Sequence, residues 1–465
     1  MEQHKSFVNG EVSFWFRDIG YPEHRPALPG PRNADVAIVG AGLSGLWSAY
    51  YLKQARPDWD ICIIEKNFAG FGASGRNGGW LSGEPAGKFR HYAKTHGTQA
   101  AIAQQKLMFA AIDEILAVAH KHGIDADIEK DGLIHVALNP AQVSRLKVQR
   151  ETLLDQGWEE DDMVLMSQSE LGDRVNIAGA LGGFWTPHCA RVHPAKLVTG
   201  LARVVESMGV QIYEQTAVEA IGSARVETQQ GDVTARYIVS ALEGYSDSLN
   251  GEQRRLLPLN SSMVVTEILP DSVWEEIGWS GAELVGDAAH SFAYSHRTLD
   301  GRIALGGRGV PYNFRSGYKA DGKTDMDTVK EIADKLTAMF PVLKDYGYVH
   351  GWSGILGVPR DWSAAVQFDA STGIGKLGGY VGHGLTGTNL AARTLRDLIL
   401  NEDTELARLP WVDRTARRWE PEPLRWLGAN AIYAAYNVAD KREDASNSTK
   451  SSSIGLLANR ISGRW

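Results

Sequence analysis

The sequence predicts an α/β fold built around a parallel sheet, and two features of the chain carry that prediction. A short apolar run at 35–39 is followed by a glycine-rich turn, a helical segment at 46–54 and a second apolar run at 60–65. Short, continuously apolar runs are typical of strands buried on both faces of a parallel sheet. A strand, a glycine turn and a helix follow one another again at 378–400, which predicts a second unit of the same layered fold.

Composition excludes several classes of protein. The chain has 465 residues, of which 43% are hydrophobic and 22% charged, as in a folded protein of two or three domains. The net charge of −8 counts against a general nucleic-acid-binding surface, which would be basic. No apolar run reaches the 18 or so residues of a membrane span. The chain has two cysteines, Cys62 and Cys189, which suits a reducing compartment. We therefore expect a cytoplasmic protein.

The first glycine motif lies between the two apolar runs. Gly40, Gly42 and Gly45 have the spacing of a dinucleotide-binding turn, and Glu65 follows 20 residues after Gly45. In such a turn the glycines permit a tight bend, a close approach to a pyrophosphate and close packing of the helix on the sheet. The free N–H groups at the helix N-terminus favour an anion. A carboxylate at Glu65 would accept hydrogen bonds from a ribose and repel a 2′-phosphate, which disfavours NADP.

Two further glycine-rich segments indicate a larger cofactor. Residues 72–80 read Gly-Ala-Ser-Gly-Arg-Asn-Gly-Gly-Trp, and residues 378–389 combine a strand end, glycines and the start of a helix. A flavin and its ribityl chain need backbone alongside them, whereas a nicotinamide cofactor has no obvious use for the first of these loops. The second places a helix N-terminus where negative charge develops on a reduced flavin.

Together the motifs resemble the FAD-dependent amine and amino-acid oxidoreductases of the D-amino-acid oxidase superfamily, over roughly residues 33–400. The loop at 72–79, the turn at 190–197 and the hairpin at 294–308 look most like the gamma-glutamylputrescine oxidase branch. The resemblance implies that the following residues contact FAD: Gly40, Gly42, Leu43, Ser44, Gly45, Glu65, Lys66, Gly72, Ala73, Ser74, Arg76, Asn77, Gly78, Gly79, Val218, Ala241, Gly354, Gly382, Gly384, Leu385, Thr386 and Gly387.

The resemblance also implies a domain arrangement. A Rossmann-like FAD-binding domain (33–85, 186–250 and 350–400) would be interleaved with a mixed-sheet substrate-binding domain (86–185 and 251–349). We expect residues 1–32 to form an N-terminal arm on the surface. Residues 401–465 form a C-terminal extension whose aromatic residues suit a cover over the FAD-binding domain or a contact between subunits. Its polar part, 440–453, is expected to be a mobile linker.

The implied chemistry is oxidation of the C–N bond of a small amine to an imine, which water hydrolyses to a carbonyl compound and an amine. O2 would be the electron acceptor, giving H2O2. Pocket candidates are chosen by side-chain type, and each has packing in the core or pairing on the surface as its alternative. They are the aromatic walls Trp80, Tyr294 and Trp352, the acid-binding Arg297 and Arg308, and the histidines His296 and His383. The two arginines favour an amine that bears an acid group.

Two departures from relatives refine the expectation. Thr386 stands where sarcosine oxidase-like relatives often carry a substrate-binding lysine, which weakens a simple N-methylglycine substrate. Neither Cys62 nor Cys189 stands where relatives attach their flavin, so FAD is expected to be held without a covalent bond. No group of His, Cys and acidic residues has the spacing of metal ligands, and no metal is expected.

Three alternatives stay open. The enzyme could be a dehydrogenase that passes electrons to a quinone or an acceptor protein, because the sequence does not fix oxygen reactivity. A flavin domain in RNA modification or redox sensing is opposed by the acidic net charge. A dehydrogenase that uses only NAD is opposed by the second and third glycine-rich segments.

Overall fold

The computed structural model describes residues 7–464, and the ends of the predicted arm and extension (1–6 and 465) lie outside the described residues. The α-helices are α1 Phe14–Ile19, α2 Leu43–Ala55, α3 Phe89–His96, α4 Thr98–Lys121, α5 Pro140–Asp155, α6 Gln168–Gly172, α7 Pro194–Ser207, α8 Asp271–Ile277, α9 Met326–Met339, α10 Gly384–Leu400, α11 Leu424–Asp444 and α12 Ser453–Ser462.

The strands are β1 Val8–Asn9, β2 Arg32–Val39, β3 Ile61–Ile64, β4 Trp80–Ser82, β5 Leu133–Ala137, β6 Val164–Ser167, β7 Gly182–Thr186, β8 Cys189–Arg191, β9 Gln211–Tyr213, β10 Val218–Gly222, β11 Arg225–Thr228, β12 Val233–Ser240, β13 Leu256–Thr266, β14 Leu284–Asp287, β15 Tyr294–Arg297, β16 Ile303–Gly307, β17 Tyr348–Pro359, β18 Ala365–Asp369 and β19 Ile374–Gly378. The predicted α/β class is confirmed, including the strand–turn–helix units at β2–α2 and β19–α10.

An eight-stranded sheet contains the two predicted units. Its core runs in the order β19-β12-β2-β3-β9 with all neighbours parallel. The inner strands β2 and β3 are apolar because both faces are covered. Val36, Ile38 and Ile63 pack against helices on one face, and Val39 and Cys62 pack with Leu28 and β11 on the other. Parallel strands end at a common edge, so the turns after β2, β3, β12 and β19 meet there.

A nine-stranded mixed sheet forms the second layer system, in the order β1-β17-β13-β16-β15-β14-β5-β7-β6. The long strands β13 and β17 pair antiparallel from Leu256↔Pro359 to Thr266↔Tyr348. The predicted domain boundary at 350 thus falls inside β17, which belongs to this sheet. Helix α4 lies in a segment assigned by sequence to the second domain, yet its buried face packs in one core with α2, α7 and α10.

Residues 12–16 of the N-terminal arm are part of the core, which a surface arm would not be, whereas most of residues 17–30 lie on the surface as expected. Ser13 caps α1 by accepting a hydrogen bond from the Phe16 N–H. Trp15 and Phe16 are buried, and the Trp15 indole donates to the Asn77 carbonyl at 2.8 Å. The apolar triplet 14–16 therefore packs under the glycine-rich loop at 72–79 and supports it.

The C-terminal extension folds back over the mixed sheet as α11 and α12. Part of the segment expected to be a mobile linker is helical, because α11 continues to Asp444. Glu443, 3% exposed, joins the extension to the rest of the chain: its carboxylate accepts hydrogen bonds from His290 Nε2 at 2.9 Å and from the Arg145 guanidinium. Among residues 7–464 no helix is both long enough and apolar enough to cross a membrane.

Replacing Glu443 with Gln is expected to lower stability at neutral pH by about 1–3 kcal/mol, the cost of leaving buried polar groups poorly paired. Burial opposes ionisation of Glu443, but its partners outweigh burial and lower its pKa to about 2. A lowered folded-state pKa means that the stabilisation is complete above about pH 4.5 and is lost as the pH falls towards 2.

Thermal unfolding at a series of pH values checks this expectation. The difference between wild type and Glu443→Gln should be largest near neutral pH and should vanish near pH 2. Glu159→Gln serves as the control, because Glu159 is exposed: its carboxylate pairs with Lys106 and caps a short surface helix, for which the Gln oxygen remains an acceptor. Equal effects of the two substitutions at neutral pH would contradict the anchoring role of Glu443.

Candidate active site

A large cavity of about 1230 Å³ lies where the edge of the parallel sheet faces the mixed sheet, and the three glycine-rich segments line it. Ordinary small-molecule sites have volumes of about 300–1,000 Å³. The cavity is therefore large enough for a dinucleotide cofactor together with a substrate.

The first turn joins β2 to α2, and its backbone is packed too closely to leave room for side chains at two of its glycines. Gly40 has a φ of +104°, which favours glycine, and a Cβ on Gly45 would lie 2.0 Å from the Gly40 carbonyl oxygen. Helix α2 has no side-chain cap from its N-cap residue and no acidic residue in its first turn. Its N–H groups and dipole fit a bound pyrophosphate at this edge.

Glu65 lies directly after β3 and on the cavity wall, beside Lys66. Its carboxylate accepts hydrogen bonds from the N–H groups of Ala41 at 2.9 Å and Asn67 at 2.8 Å. Burial raises its pKa. Glu65 thus ties the glycine turn to the end of the neighbouring strand, at the position predicted for ribose recognition.

Side chains of the loop at 72–79 stabilise its conformation through hydrogen bonds to backbone groups. Asn77 donates to the carbonyls of Ala73 and Ser74 and accepts from the Gly79 N–H. Arg76 is buried, and its guanidinium donates to backbone carbonyls on the loop and on two other segments; burial lowers its pKa. Arg76 therefore fixes the loop through backbone contacts, while the loop's outer edge forms cavity wall.

The third turn, at 378–384, is held by a buried carboxylate. Glu243 accepts hydrogen bonds from the N–H groups of Gly379 at 3.0 Å and Tyr380 at 3.2 Å, and also from Gly357. Burial raises the pKa of Glu243 to about 7. Helix α10 follows with His383 as an N-cap residue that makes no side-chain cap. The N-termini of α2 and α10 thus both open on the cavity, as a pyrophosphate and a flavin edge require, with Ser74 Oγ accepting from the first N–H of α2 at 2.9 Å.

Most residues predicted to contact FAD line the cavity. Four do not: Gly45 and Gly79 act through packing, while Thr386 and Gly387 lie one turn inside α10. The rest lie on its wall, namely Gly40, Gly42, Leu43, Ser44, Glu65, Lys66, Gly72, Ala73, Ser74, Arg76, Asn77, Gly78, Val218, Ala241, Gly354, Gly382, Gly384 and Leu385.

Four of the pocket candidates also line the cavity: Trp80, Tyr294, Arg308 and His383. The Trp80 and Tyr294 rings meet edge to face, 5.8 Å apart, and the Tyr294 hydroxyl hydrogen-bonds to Ser261 Oγ at 2.6 Å. Burial raises the pKa of Tyr294, so it stays a neutral phenol. These contacts form a rigid aromatic wall.

Three candidates lie outside the cavity lining. His296 is buried behind the loop, 3.1 Å from the Gly78 carbonyl, and burial lowers its pKa to about 3, which suits a neutral supporting residue rather than a proton shuttle. Arg297 stacks over Trp274 at 4.2 Å and donates to the Trp279 carbonyl. Trp352 is fully buried and donates to the Arg76 carbonyl. His296 and Trp352 thus support the loop at 72–79 from behind, whereas Arg297 packs on residues away from the cavity.

Sequence reasoning missed several residues on the cavity wall. Glu84 and His135 lie beside His383, and Phe292 lies under Arg308 at 5.9 Å. Asn459, from α12, also reaches the cavity. Glu84 follows the second glycine-rich loop by five residues, a proximity that could have singled it out; the others come from distant segments and carry no local signal.

Comparison with known proteins identifies the class. Residues 35–398 match the family described as FAD dependent oxidoreductase. The chain belongs to this family, and the expectation of an FAD-binding oxidoreductase is confirmed.

The relatives point to the same branch as the motifs. The chain is 30% identical to the gamma-glutamylputrescine oxidoreductase of Escherichia coli K12 over 423 residues, 88% of this chain and 93% of the relative. It is 28% identical to a probable oxidoreductase, OrdL, of Rhizobium meliloti, over 82% of this chain and 86% of the relative. The structure of glycine oxidase from Geobacillus kaustophilus has a TM-score of 0.67 and 20% identity, covering 83% of this chain and all of that one. The predicted resemblance is thereby confirmed.

Proposed function

We propose that this protein oxidises the C–N bond of a small, acid-bearing amine to an imine, which water hydrolyses to a carbonyl compound and an amine. The observation that carries the proposal is Arg308, a guanidinium on the wall of a cavity that fits FAD. Its Nη1 is buried and has no hydrogen-bond partner among residues 7–464. A guanidinium with a buried, unpartnered nitrogen on a cavity wall suits a carboxylate or other planar acid on the ligand.

The bound FAD supplies the acceptor for the hydride equivalent. The chain's own residues bind and orient the amine. Trp80 and Tyr294 present ring edges and faces that exclude water, and a desolvated pocket lowers the pKa of a bound amine, which favours the neutral form that can be oxidised. Arg308 holds the acid group and thereby fixes the distance of the amine from the cofactor.

FAD is proposed to be held without a covalent bond to cysteine. Cys62 and Cys189 are fully buried, and neither lies on the cavity wall. Denaturation should therefore release the flavin into solution. O2 is proposed as the acceptor, with a quinone or an acceptor protein as the alternative.

An anaerobic panel of amines, added to the yellow holoprotein, tests the proposal. The panel holds polyamines, gamma-glutamyl amines, N-alkyl glycines, aminophosphonates and D-amino acids, and bleaching of the flavin band reports oxidation. We expect bleaching by acid-bearing members, and rapid recolouring in air if O2 is the acceptor. If dithionite bleaches the flavin but none of the amines does, the result would contradict C–N oxidation.

A further inference from the structure

A second charged group lines the cavity, away from Arg308. Glu84 follows β4, and its Oε1 lies 3.6 Å from His135 Nε2 while its Oε2 lies 3.7 Å from His383 Nδ1. The three side chains come from three segments: the loop after β4, strand β5 and the third glycine turn. All three line the cavity, so the fold assembles a carboxylate between two imidazoles at the site.

Within the described part of the chain, Glu84 has no lysine or arginine as a fixed partner. Both distances are longer than a hydrogen bond, which leaves the two carboxylate oxygens able to accept from a ligand. Among residues 7–464 no lysine or arginine forms an ion pair with Glu84. Burial opposes ionisation, but the neighbouring imidazoles outweigh it and hold the pKa of Glu84 below its usual range. Burial also lowers the pKa of His383.

A row of rings lies between the two charged groups. From Arg308 the wall continues through Phe292, Tyr294 and Trp80, with 6.2 Å between the first two rings and 5.8 Å between the last two. Trp80 packs against Gly286, the residue beside which His135 Nδ1 also lies. The wall therefore offers a cation at one end, an apolar middle, and an anion at the other end.

We propose that Glu84, flanked by His135 and His383, binds a protonated amino group of the substrate other than the amine that is oxidised, while Arg308 binds its acid group. The inference rests on the proposed function and narrows the substrate to an elongated molecule with an ammonium and an acid separated by an apolar stretch. An ionised carboxylate without a fixed cation is the natural partner of an ammonium, and charge-assisted hydrogen bonds are the stronger kind.

Binding to the holoprotein, read from the perturbation of the flavin spectrum, tests the proposal with three probes: 1-aminohexane, hexanoate and 6-aminohexanoate. Glu84→Gln should weaken binding of both amine probes at least about tenfold and leave hexanoate binding equal or tighter. Glu159→Gln, an exposed substitution outside the cavity, should bind all three as wild type does. FAD content and dithionite reduction establish that each variant is intact.

A comparison within the wild type keeps the test independent of the variant's folding. Because an alkylamine is protonated at neutral pH and an alcohol is neutral, wild type should bind 1-aminohexane at least about tenfold more tightly than 1-hexanol. The role of Glu84 is overturned if wild type binds 1-aminohexane and 1-hexanol equally, or if an intact Glu84→Gln variant binds amines as wild type does. Neither result affects the proposed function. If no amine of either panel perturbs the spectrum of the flavin in the loaded wild type or reduces that flavin, the proposed function is overturned as well.

Discussion

Replacing Gly45 with Ala is expected to abolish most FAD retention. A Cβ at this position would lie 2.0 Å from the Gly40 carbonyl oxygen and 3.2 Å from Ile38 Cγ2. The backbone cannot yield as a flexible side chain would, so α2 must move off the sheet edge. Overpacking of this kind costs about 1–3 kcal/mol, which corresponds to roughly 5- to 150-fold in affinity if it falls on the bound state.

The matched control is Gly428→Ala, another glycine within a helix. Nothing lies within 4 Å of a Cβ at Gly428, and the residue is exposed. Alanine there should be neutral or stabilise the protein by up to about 1 kcal/mol. FAD content after gel filtration and thermal unfolding with and without added FAD measure both variants. A Gly45→Ala protein that keeps a full complement of FAD would contradict the role given to the turn.

Replacing Arg308 with Met is expected to raise the KM for an acid-bearing amine at least about thirtyfold. Losing one partner of a buried charged hydrogen bond costs about 2 kcal/mol or more, which is a factor of roughly 30. The KM of an amine without an acid group should change little, because the Trp80–Tyr294 wall remains. Steady-state kinetics with a matched pair of amines, one with and one without the acid, measures the difference.

Arg297→Met is the control for this experiment. Arg297 lies in the same hairpin, but its guanidinium stacks on Trp274 and donates to the Trp279 carbonyl, away from the cavity. Its loss should lower thermal stability and leave the ratio of the two KM values unchanged. If Arg297→Met shifted that ratio and Arg308→Met did not, the assignment of the acid-binding residue would be reversed.

The parallel core of the fold could be predicted from local spacing. The glycines at 40, 42 and 45 need only their own neighbours to form a tight turn, and a buried parallel strand has an apolar pattern of its own. The burial of part of the N-terminal arm could not be predicted in this way. Phe14, Trp15 and Phe16 are buried because distant segments, among them the loop at 72–79 and β17, lie against them.

The hairpin at 294–308 shows where local reasoning ends. Side chains alternate between faces along a strand, so Tyr294 and Arg297 cannot share a face of β15. This alternation can be predicted from the sequence. Which of the two faces meets the cavity cannot be predicted from it, because that depends on the register of β15 with β14 and β16. Tyr294 and His296 share a face, yet Gly79 packs over His296 and removes it from the cavity wall.

The sequence by itself therefore determined the cofactor's turns, because these depend on glycines close together along the chain. The tertiary structure alone decided which polar groups line the same cavity, because Glu84, His135, Arg308 and Asn459 come from segments that meet only when the two sheets and the C-terminal helices are packed. Cofactor binding at a strand–helix turn is a local property of the backbone, whereas a pocket between sheets is a property of their relative placement.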